Sequence, residues 1–137
     1  MERYVRILFT LLCFVFLYNG SAQSPEDEEQ SVLKEFQDTN LPKERFTVFF
    51  NSIDRYNQNS AYDWLDTIKI YLSNAEKTND TTAIRLYQVM QAQIYNDLGE
   101  YDKSTTLAKD LYAAKDSLDV DSQKAILDVL DDNYANL

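Results

Sequence analysis

Residues 94–102 read IYNDLGEYD, and the turn within this stretch is the clearest structural signal in the chain. Ile94 and Leu98 are four residues apart, a spacing that places two apolar side chains on one face of a helix. Gly99 follows at the point where helices often end in a left-handed residue, a conformation that glycine adopts without steric cost. Tyr101 then begins a second apolar pattern. The stretch therefore predicts two helices joined by a tight turn at Gly99.

The same pattern occurs once before in the chain. Residues 55–63 read RYNQNSAYD, and their two tyrosines, one asparagine and one aspartate match the later stretch in register, at an offset of thirty-nine positions. One further step of equal length carries Tyr95 onto Tyr134 and Leu98 onto Leu137. Three tyrosines at equal spacing indicate an internal repeat, which is typical of helical arrays.

Apolar residues keep helical spacing from Pro42 to the end of the chain. Five helical faces result, formed by Phe46, Phe49, Phe50, Ile53 and Tyr56; by Ala61, Leu65, Ile68, Leu72 and Ala75; by Ile84, Tyr87, Met90, Ile94 and Leu98; by Tyr101, Ser104, Leu107, Ala108, Leu111 and Ala114; and by Ile126, Leu127, Leu130 and Tyr134. A strand-rich fold needs many tight turns, and the chain has only two glycines and two prolines. We therefore predict an all-α fold.

The central copy of the pattern resembles the tetratricopeptide repeat (TPR). The matching residues are Ala92, Tyr95, Leu98, Gly99, Tyr101, Ser104 and Ala108, and the structural positions of the other copies are Tyr56, Tyr62 and Tyr134. The resemblance implies antiparallel helix hairpins stacked as a TPR-like α-solenoid of about two and a half repeats. A degenerate repeat would span residues 43–82, a better one residues 83–118, and a half repeat (first helix only) residues 119–137. An unrelated helical bundle is the alternative.

The recurring tyrosines are expected to pack between helices rather than take part in chemistry. Trp64 has no counterpart in the next copy, where Lys103 stands. We expect Trp64 to be a partly buried wedge.

The first 22 residues have the features of a secretory signal peptide. Arg3 and Arg6 precede the apolar run of residues 7–18, and Gly20 and Ala22 provide the small side chains of a cleavage site. The run is shorter than the roughly 20 residues that span a bilayer, which disfavours an uncleaved anchor. We predict cleavage after Ala22 or the next residue, export to the periplasm or beyond, and no stable membrane insertion afterwards.

Residues 23–42 are predicted to be an acidic linker and a short helix. The linker is SPEDEEQS at residues 24–31, and the helix is marked by Val32, Leu33 and Phe36 and ends before Pro42.

Composition excludes several classes of chemistry. The chain has no histidine, and its one cysteine, Cys13, lies in the leader, so histidine-assisted catalysis and the usual zinc sites are excluded. One glycine beyond the leader cannot form a phosphate-binding loop. The net charge of −10 disfavours nucleic acid as a partner. We therefore predict no metal, no cofactor and no catalytic residue. The remote alternative is an enzyme that uses only carboxylates, such as those of Asp131 and Asp132.

The family resemblance implies a partner-binding inner face on the first helix of each repeat. The positions it implies are Phe50, Asp54, Asn57, Gln93, Asn96, Asp97, Asp128 and Asp132. The two asparagines could bind the backbone of an extended peptide, or be solvated or cap their own helices. The aspartates could form an acidic groove for a basic or amine-bearing partner, or be a solvated surface.

These observations predict a non-catalytic exported scaffold that binds a protein or peptide. The resemblance also extends to exported Bacteroidetes TPR proteins and to the periplasmic sensor regions of TPR-containing histidine kinases. The alternative is therefore a truncated sensory region of such a kinase or a similar signalling receptor. Leu137 aligns with the residue before the turn glycine, so the last helix is expected to lack a partner. We expect either the front of a longer array or self-association through this uncapped C-terminal helix.

Overall fold

The computed structural model describes residues 25–53 and 58–137. The helices are α1 (Pro25–Asp38), α2 (Pro42–Ser52), α3 (Gln58–Thr78), α4 (Thr81–Asp97), α5 (Tyr101–Ala113) and α6 (Val120–Asn136), with a short 3₁₀ turn at Lys115–Ser117. No strand occurs in these two ranges, so the predicted all-α class is confirmed. The predicted signal peptide and the positions Asp54, Tyr56 and Asn57 lie outside the described residues. Within the described ranges, no helix is long and apolar enough to cross a membrane.

Helix α1 begins earlier than predicted. It starts at Pro25, so residues 25–31 are helical and do not form a linker. Proline suits the first helical position, because its missing N–H would have no partner there. The acidic residues that follow are favoured near the positive end of the helix dipole, which explains why a polar stretch can begin a helix.

Two turns end helices in the same way. At the end of α4, Gly99 has φ +72°, its N–H donates to Asn96 O (2.8 Å), and Glu100 N–H donates to Tyr95 O (2.8 Å). At the end of α3, Asn79 has φ 54°, its N–H donates to Glu76 O (3.1 Å), and Asp80 N–H donates to Ala75 O (3.0 Å). Both are Schellman motifs, in which a left-handed residue satisfies the last carbonyls of the helix. The predicted turn at Gly99 is confirmed.

Two aspartates one repeat length apart are the N-cap residues of α4 and α6. The carboxylate of Asp80 accepts from Ala83 N–H (3.0 Å) at the start of α4. The carboxylate of Asp119 accepts from Ser122 N–H (2.9 Å) at the start of α6. Each satisfies an N–H that has no partner within its own helix.

Helix α4 is the centre of the fold and packs against α2, α3, α5 and α6. Helices α4 and α5 are antiparallel, since Arg85 near the start of α4 donates to Ser117 O beyond the end of α5 (3.4 Å). Helices α2, α4 and α6 lie side by side and run in one direction. Lys43 joins the starts of α2 and α6, and Asn96 joins the ends of α4 and α6.

Helix α1 covers the outer side of α2 and α3. Its Phe36 is fully buried, with its ring 5.1 Å from that of Trp64 and 5.4 Å from that of Tyr71. The Arg45 guanidinium donates to Phe36 O (3.2 Å) and lies 4.1 Å from the Tyr71 ring centre. Trp64 is almost completely buried, which exceeds the partial burial we predicted.

The buried face of α6 also differs from the prediction. Leu127 and Tyr134 were assigned to it, but both are exposed, and the buried residues are Ser122, Ala125, Ile126, Val129 and Asn133. The packed face combines the apolar Ile126 and Val129 with smaller or polar side chains, whereas Leu127 and Tyr134 point outward.

The packing role predicted for the repeat tyrosines is therefore wrong for two of them. Tyr134 is 58% exposed, and its ring meets the Lys109 ammonium of α5 (5.4 Å) at the protein surface. Tyr62 is 59% exposed and shares the solvent side of α3 with Asp66 and Lys69. Tyr95 and Tyr101 are half-buried, as packing residues would be.

Candidate functional site

A groove of about 540 Å³ lies along the three parallel helices α2, α4 and α6, and we call it the central groove. Its lining consists of Phe46, Phe50, Ile53, Gln93, Asp97, Asp121, Lys124, Ala125, Asp128 and Asp132. Helix α2 supplies one wall, α6 the other, and α4 contributes two residues between them.

Five of the eight predicted inner-face positions line this groove. They are Phe50, Gln93, Asp97, Asp128 and Asp132. Asp54 and Asn57 lie outside the described residues. Asn96 does not line the groove, because its side-chain amide donates to Asn133 Oδ1 (2.9 Å) in the contact between α4 and α6. This bond makes Asn96 part of the packing, so its predicted role of binding a peptide backbone is not supported by its position.

Sequence reasoning missed the other half of the lining. Phe46 and Ile53 precede and follow Phe50 at spacings of four and three residues, and Ala125 precedes Asp128 by three. This is the spacing of one helical face, so the signal was present. We interpreted the spacing of Phe46 and Ile53 as core packing and assigned Ala125 to no face. A residue at the edge of a core can also form the base of a groove.

The apolar part of the groove is a compact patch formed by Phe46, Phe50, Ile53 and Ala125. Phe46 and Ala125 are buried, whereas Phe50 and Ile53 are half-buried and reach the groove surface. The rings of Phe46 and Phe50 are 4.5 Å apart, and Phe50 also meets Phe49 edge-on at 5.0 Å. The patch is therefore held rigidly by aromatic contacts behind it.

The remaining lining carries mainly negative charge. Four carboxylates and one ammonium face the groove. The ammonium of Lys124 is paired with Asp128, one turn away on α6. Gln93 donates to Asp97 Oδ1 (2.9 Å), which orients this carboxylate at the end of α4. No basic side chain of the described residues pairs with Asp132.

One end of the groove is closed by an ion-pair bridge, which we call the Lys43 bridge. Lys43 Nζ of α2 donates to Asp119 Oδ2 (2.8 Å) and Asp121 Oδ2 (3.1 Å) at the start of α6. Its ammonium also lies 4.9 Å from the ring centre of Phe46. The bridge spans the two outer helices and limits how far they can separate.

Burial and pairing act in opposite directions on the two main members of this bridge. Partial burial of Asp119 disfavours its charged form, but hydrogen bonds from Lys43 and Ser122 outweigh this effect and hold the pKa of Asp119 below its ordinary value. Partial burial likewise opposes the charge of Lys43, yet its bonds to Asp119 and Asp121 raise its pKa. Both groups are therefore stabilised in their charged forms.

The groove thus places an apolar patch next to several carboxylates. In the part of the chain that the structure describes, no cluster of three or more histidine, cysteine, aspartate or glutamate side chains could hold a metal ion.

Comparison with protein-family models, curated proteins and solved structures finds no match for this chain. The resemblance to the TPR family therefore rests on the residues of the sequence.

Proposed function

We propose that the protein is a non-catalytic, exported scaffold of the TPR type that binds a segment of a protein or peptide in the central groove. The observation that carries this proposal is the groove itself, where three parallel helices bring five of the predicted inner-face residues together. Its volume of about 540 Å³ is within the range of about 300–1,000 Å³ that is usual for ligand-binding clefts.

The repeat assignment has independent support in the backbone. Asp80 and Asp119 are one repeat length apart and form the same capping bond at the start of α4 and of α6. Helices α4 and α5 form a hairpin closed by the Gly99 turn, and Ser104 Oγ of α5 donates to Ala92 O of α4 (2.7 Å). Small residues at this crossing allow close approach of the two helices, as the family pattern implies.

A peptide selection with a blocked groove tests the proposal. A phage library of random 12-residue peptides is selected on the purified protein, and the enriched peptides are measured on two variants. Gln93→Trp places a large side chain in the groove. Thr106→Trp places the same side chain on the exposed outer side of α5 and is the matched control.

We expect enriched peptides to lose at least tenfold in affinity on Gln93→Trp and to be unaffected by Thr106→Trp. Circular dichroism and urea unfolding of both variants show whether the fold is intact. The proposal is wrong if the selection enriches no peptide, or if the enriched peptides bind equally well to a folded Gln93→Trp variant.

Export is tested separately. Expression in a Gram-negative host, followed by fractionation and N-terminal sequencing, should give a periplasmic or secreted product that begins at Gln23 or Ser24. A product that retains Met1 in the cytoplasm would contradict the predicted leader.

A further inference from the structure

A second side of α6, distinct from the side that lines the central groove, carries a row of large apolar side chains. Val120, Leu127, Tyr134 and Leu137 are between 48% and 79% exposed, and the half-buried Leu130 lies among them. None of these five residues lines the central groove. A continuous apolar row on a surface, unlike single scattered residues, indicates an interaction surface.

The spacing of this row is that of a coiled-coil seam. Its members alternate in steps of three and four residues, which keeps them on one line along the helix as positions a and d of a heptad. We call this row the α6 seam, and its members are Val120, Gln123, Leu127, Leu130, Tyr134 and Leu137. The one polar member is Gln123, and its side-chain amide already donates to Lys115 O (3.1 Å) and Leu118 O (2.9 Å). Its aliphatic stem is therefore the part left for packing.

The charges beside the α6 seam favour pairing with an antiparallel copy of the same helix. Lys124 and Asp131 occupy the same flanking position in successive heptads, and both are exposed. In an antiparallel pair equivalent flanks lie next to each other, so each Lys124 meets the partner's Asp131. In a parallel pair this flank meets the opposite one, where Ile126 and Asn133 are buried in the protomer. The antiparallel order therefore gives two ion pairs between the copies, and the parallel order gives none at these positions.

Two antiparallel copies of the seam also match along their whole length. When Leu127 faces the partner's Leu130, the two ends meet with Val120 on the partner's Leu137. One register thus covers every large apolar residue of the seam. Helix α6 has 17 residues, which is roughly 26 Å at about 1.5 Å per residue. A seam of this length forms a small interface, and small interfaces are typical of reversible association.

From these features we infer that a second copy of this chain covers the α6 seam, so that the protein forms an antiparallel dimer through α6. Among the residues beside the seam, Lys124 also lines the central groove, whereas the seam itself contributes nothing to the groove lining. Both grooves therefore stay open in the dimer. Two linked grooves would hold a partner that carries two suitable segments more tightly than one groove does. The inference concerns a different surface from the proposed function and does not depend on it.

Sedimentation equilibrium of the purified protein, from about 10 μM to about 1 mM, tests the dimer. Leu127→Glu places a charge in the middle of the seam. The matched control is Ile70→Glu, since Ile70 is a large apolar residue on α3 that is 63% exposed and lies outside the seam. Circular dichroism shows whether both variants are folded.

The mass of the natural protein and of Ile70→Glu should rise with concentration toward that of a dimer. We expect at least tenfold weaker dimerisation for Leu127→Glu. A natural protein that stays monomeric at every concentration would overturn the inference and leave the seam to another occupant. A folded Leu127→Glu variant that dimerises as well as the natural protein would overturn it too.

Disulfide crosslinking tests the order of the two helices. The only natural cysteine is Cys13, so Val120→Cys and Leu137→Cys are each made together with Cys13→Ser. Neither variant should crosslink readily alone, whereas a mixture of the two should, because the antiparallel register brings these positions together. Crosslinking of each variant alone, or none in a mixture that dimerises, would overturn the antiparallel seam.

A charge exchange tests the flanking ion pairs. Lys124→Glu should weaken the dimer about fivefold, as two partly exposed pairs would give. Lys124→Glu/Asp131→Lys restores opposite charges between the copies and should recover most of this loss. Loss of stability in one protomer would not be recovered by the exchange. An unchanged dimer for Lys124→Glu, or no recovery in the double variant, would contradict the proposed pairing.

Discussion

The side-chain amide of Asn133 donates to the hydroxyl of Ser104 at 2.8 Å, and both side chains are completely buried. Asn133 also accepts from Asn96 (2.9 Å), while Ser104 donates to Ala92 O (2.7 Å). One chain of hydrogen bonds thus joins α4, α5 and α6 at the end where α4 turns into α5. Because buried polar groups must be paired, this chain favours a single register of the three helices.

Replacing Asn133 by alanine should therefore destabilise the protein by about 2 kcal/mol or more. The substitution leaves polar groups of Ser104 and Asn96 without their partner in a buried site. Asn136→Ala is the control, because Asn136 is exposed on the same helix and its side chain donates to Asp132 O. We expect this substitution to cost less than about 0.5 kcal/mol. Urea unfolding followed at 222 nm measures both, and equal losses would contradict the structural role of the buried chain.

The buried face of α6 shows where prediction from sequence succeeds and where it fails. Hydrophobic spacing identified the helix, and the fold class followed from five such patterns. This spacing placed Ile126 correctly but also chose Leu127 and Tyr134, which are exposed. It missed Ser122 and Asn133, because these two buried residues are polar. The partner of Asn133 is Ser104, 29 residues earlier, and spacing within one helix contains no information about such a pair.

The candidate site was predictable to a similar extent. The family resemblance implied that Phe50, Gln93 and Asp132 lie on the inner side of their helices, and the structure brings them to one groove. The Lys43 bridge could not be predicted, since it joins residues 76 positions apart. It depends on how closely three helices stack, and this follows from the packing of all of them.

The left-handed turn at Gly99 gives a second prediction. An added Cβ would meet no atom within 4 Å, so the cost of replacing Gly99 comes from its φ of +72° and not from crowding. Gly99→Val should destabilise the protein by about 1–2 kcal/mol. Gly99→Asn should cost less, since asparagine adopts this conformation readily and does so at Asn79. Urea unfolding of the two variants tests the order, and equal stability of Gly99→Val and the natural protein would show that the turn is not left-handed.

Burial of Phe36 under Trp64 predicts that α1 is part of the folded core. Phe36→Ala removes the ring that fills the space between α1, α2 and α3, and should cost about 3–5 kcal/mol. Trp64 is the only tryptophan, so its emission reports directly on this site. We expect a red shift as water reaches the indole. Phe36→Leu retains most of the apolar volume, so its loss of stability should be clearly smaller and its emission should shift little. Unchanged emission and stability for Phe36→Ala would exclude this packing of α1.

The Lys43 bridge predicts how stability depends on pH. The pKa of Asp119 is lower in the folded protein than in the unfolded chain, so the unfolded state takes up the proton first as the pH falls. The contribution of this carboxylate to stability is complete above an unfolded pKa of about 3.9 and is lost as the pH falls through the lower folded value. The pKa of Lys43 is raised, so its contribution is lost as the pH rises beyond about 10.4.

Two substitutions separate the parts of this effect in urea unfolding between pH 3 and pH 7. Asp119→Asn should retain the helix cap, since asparagine caps as well as aspartate, and should remove the acid dependence of this site. Lys43→Met removes the bridge but leaves the bond from Ser122, so its acid dependence should lie between those of Asp119→Asn and the natural protein. Each loss at pH 7 should be below about 1 kcal/mol, because the Lys43 and Asp119 side chains are 44% and 46% exposed. Identical pH profiles for all three proteins would show that the bridge does not form in solution, and the groove would then be free to open between α2 and α6.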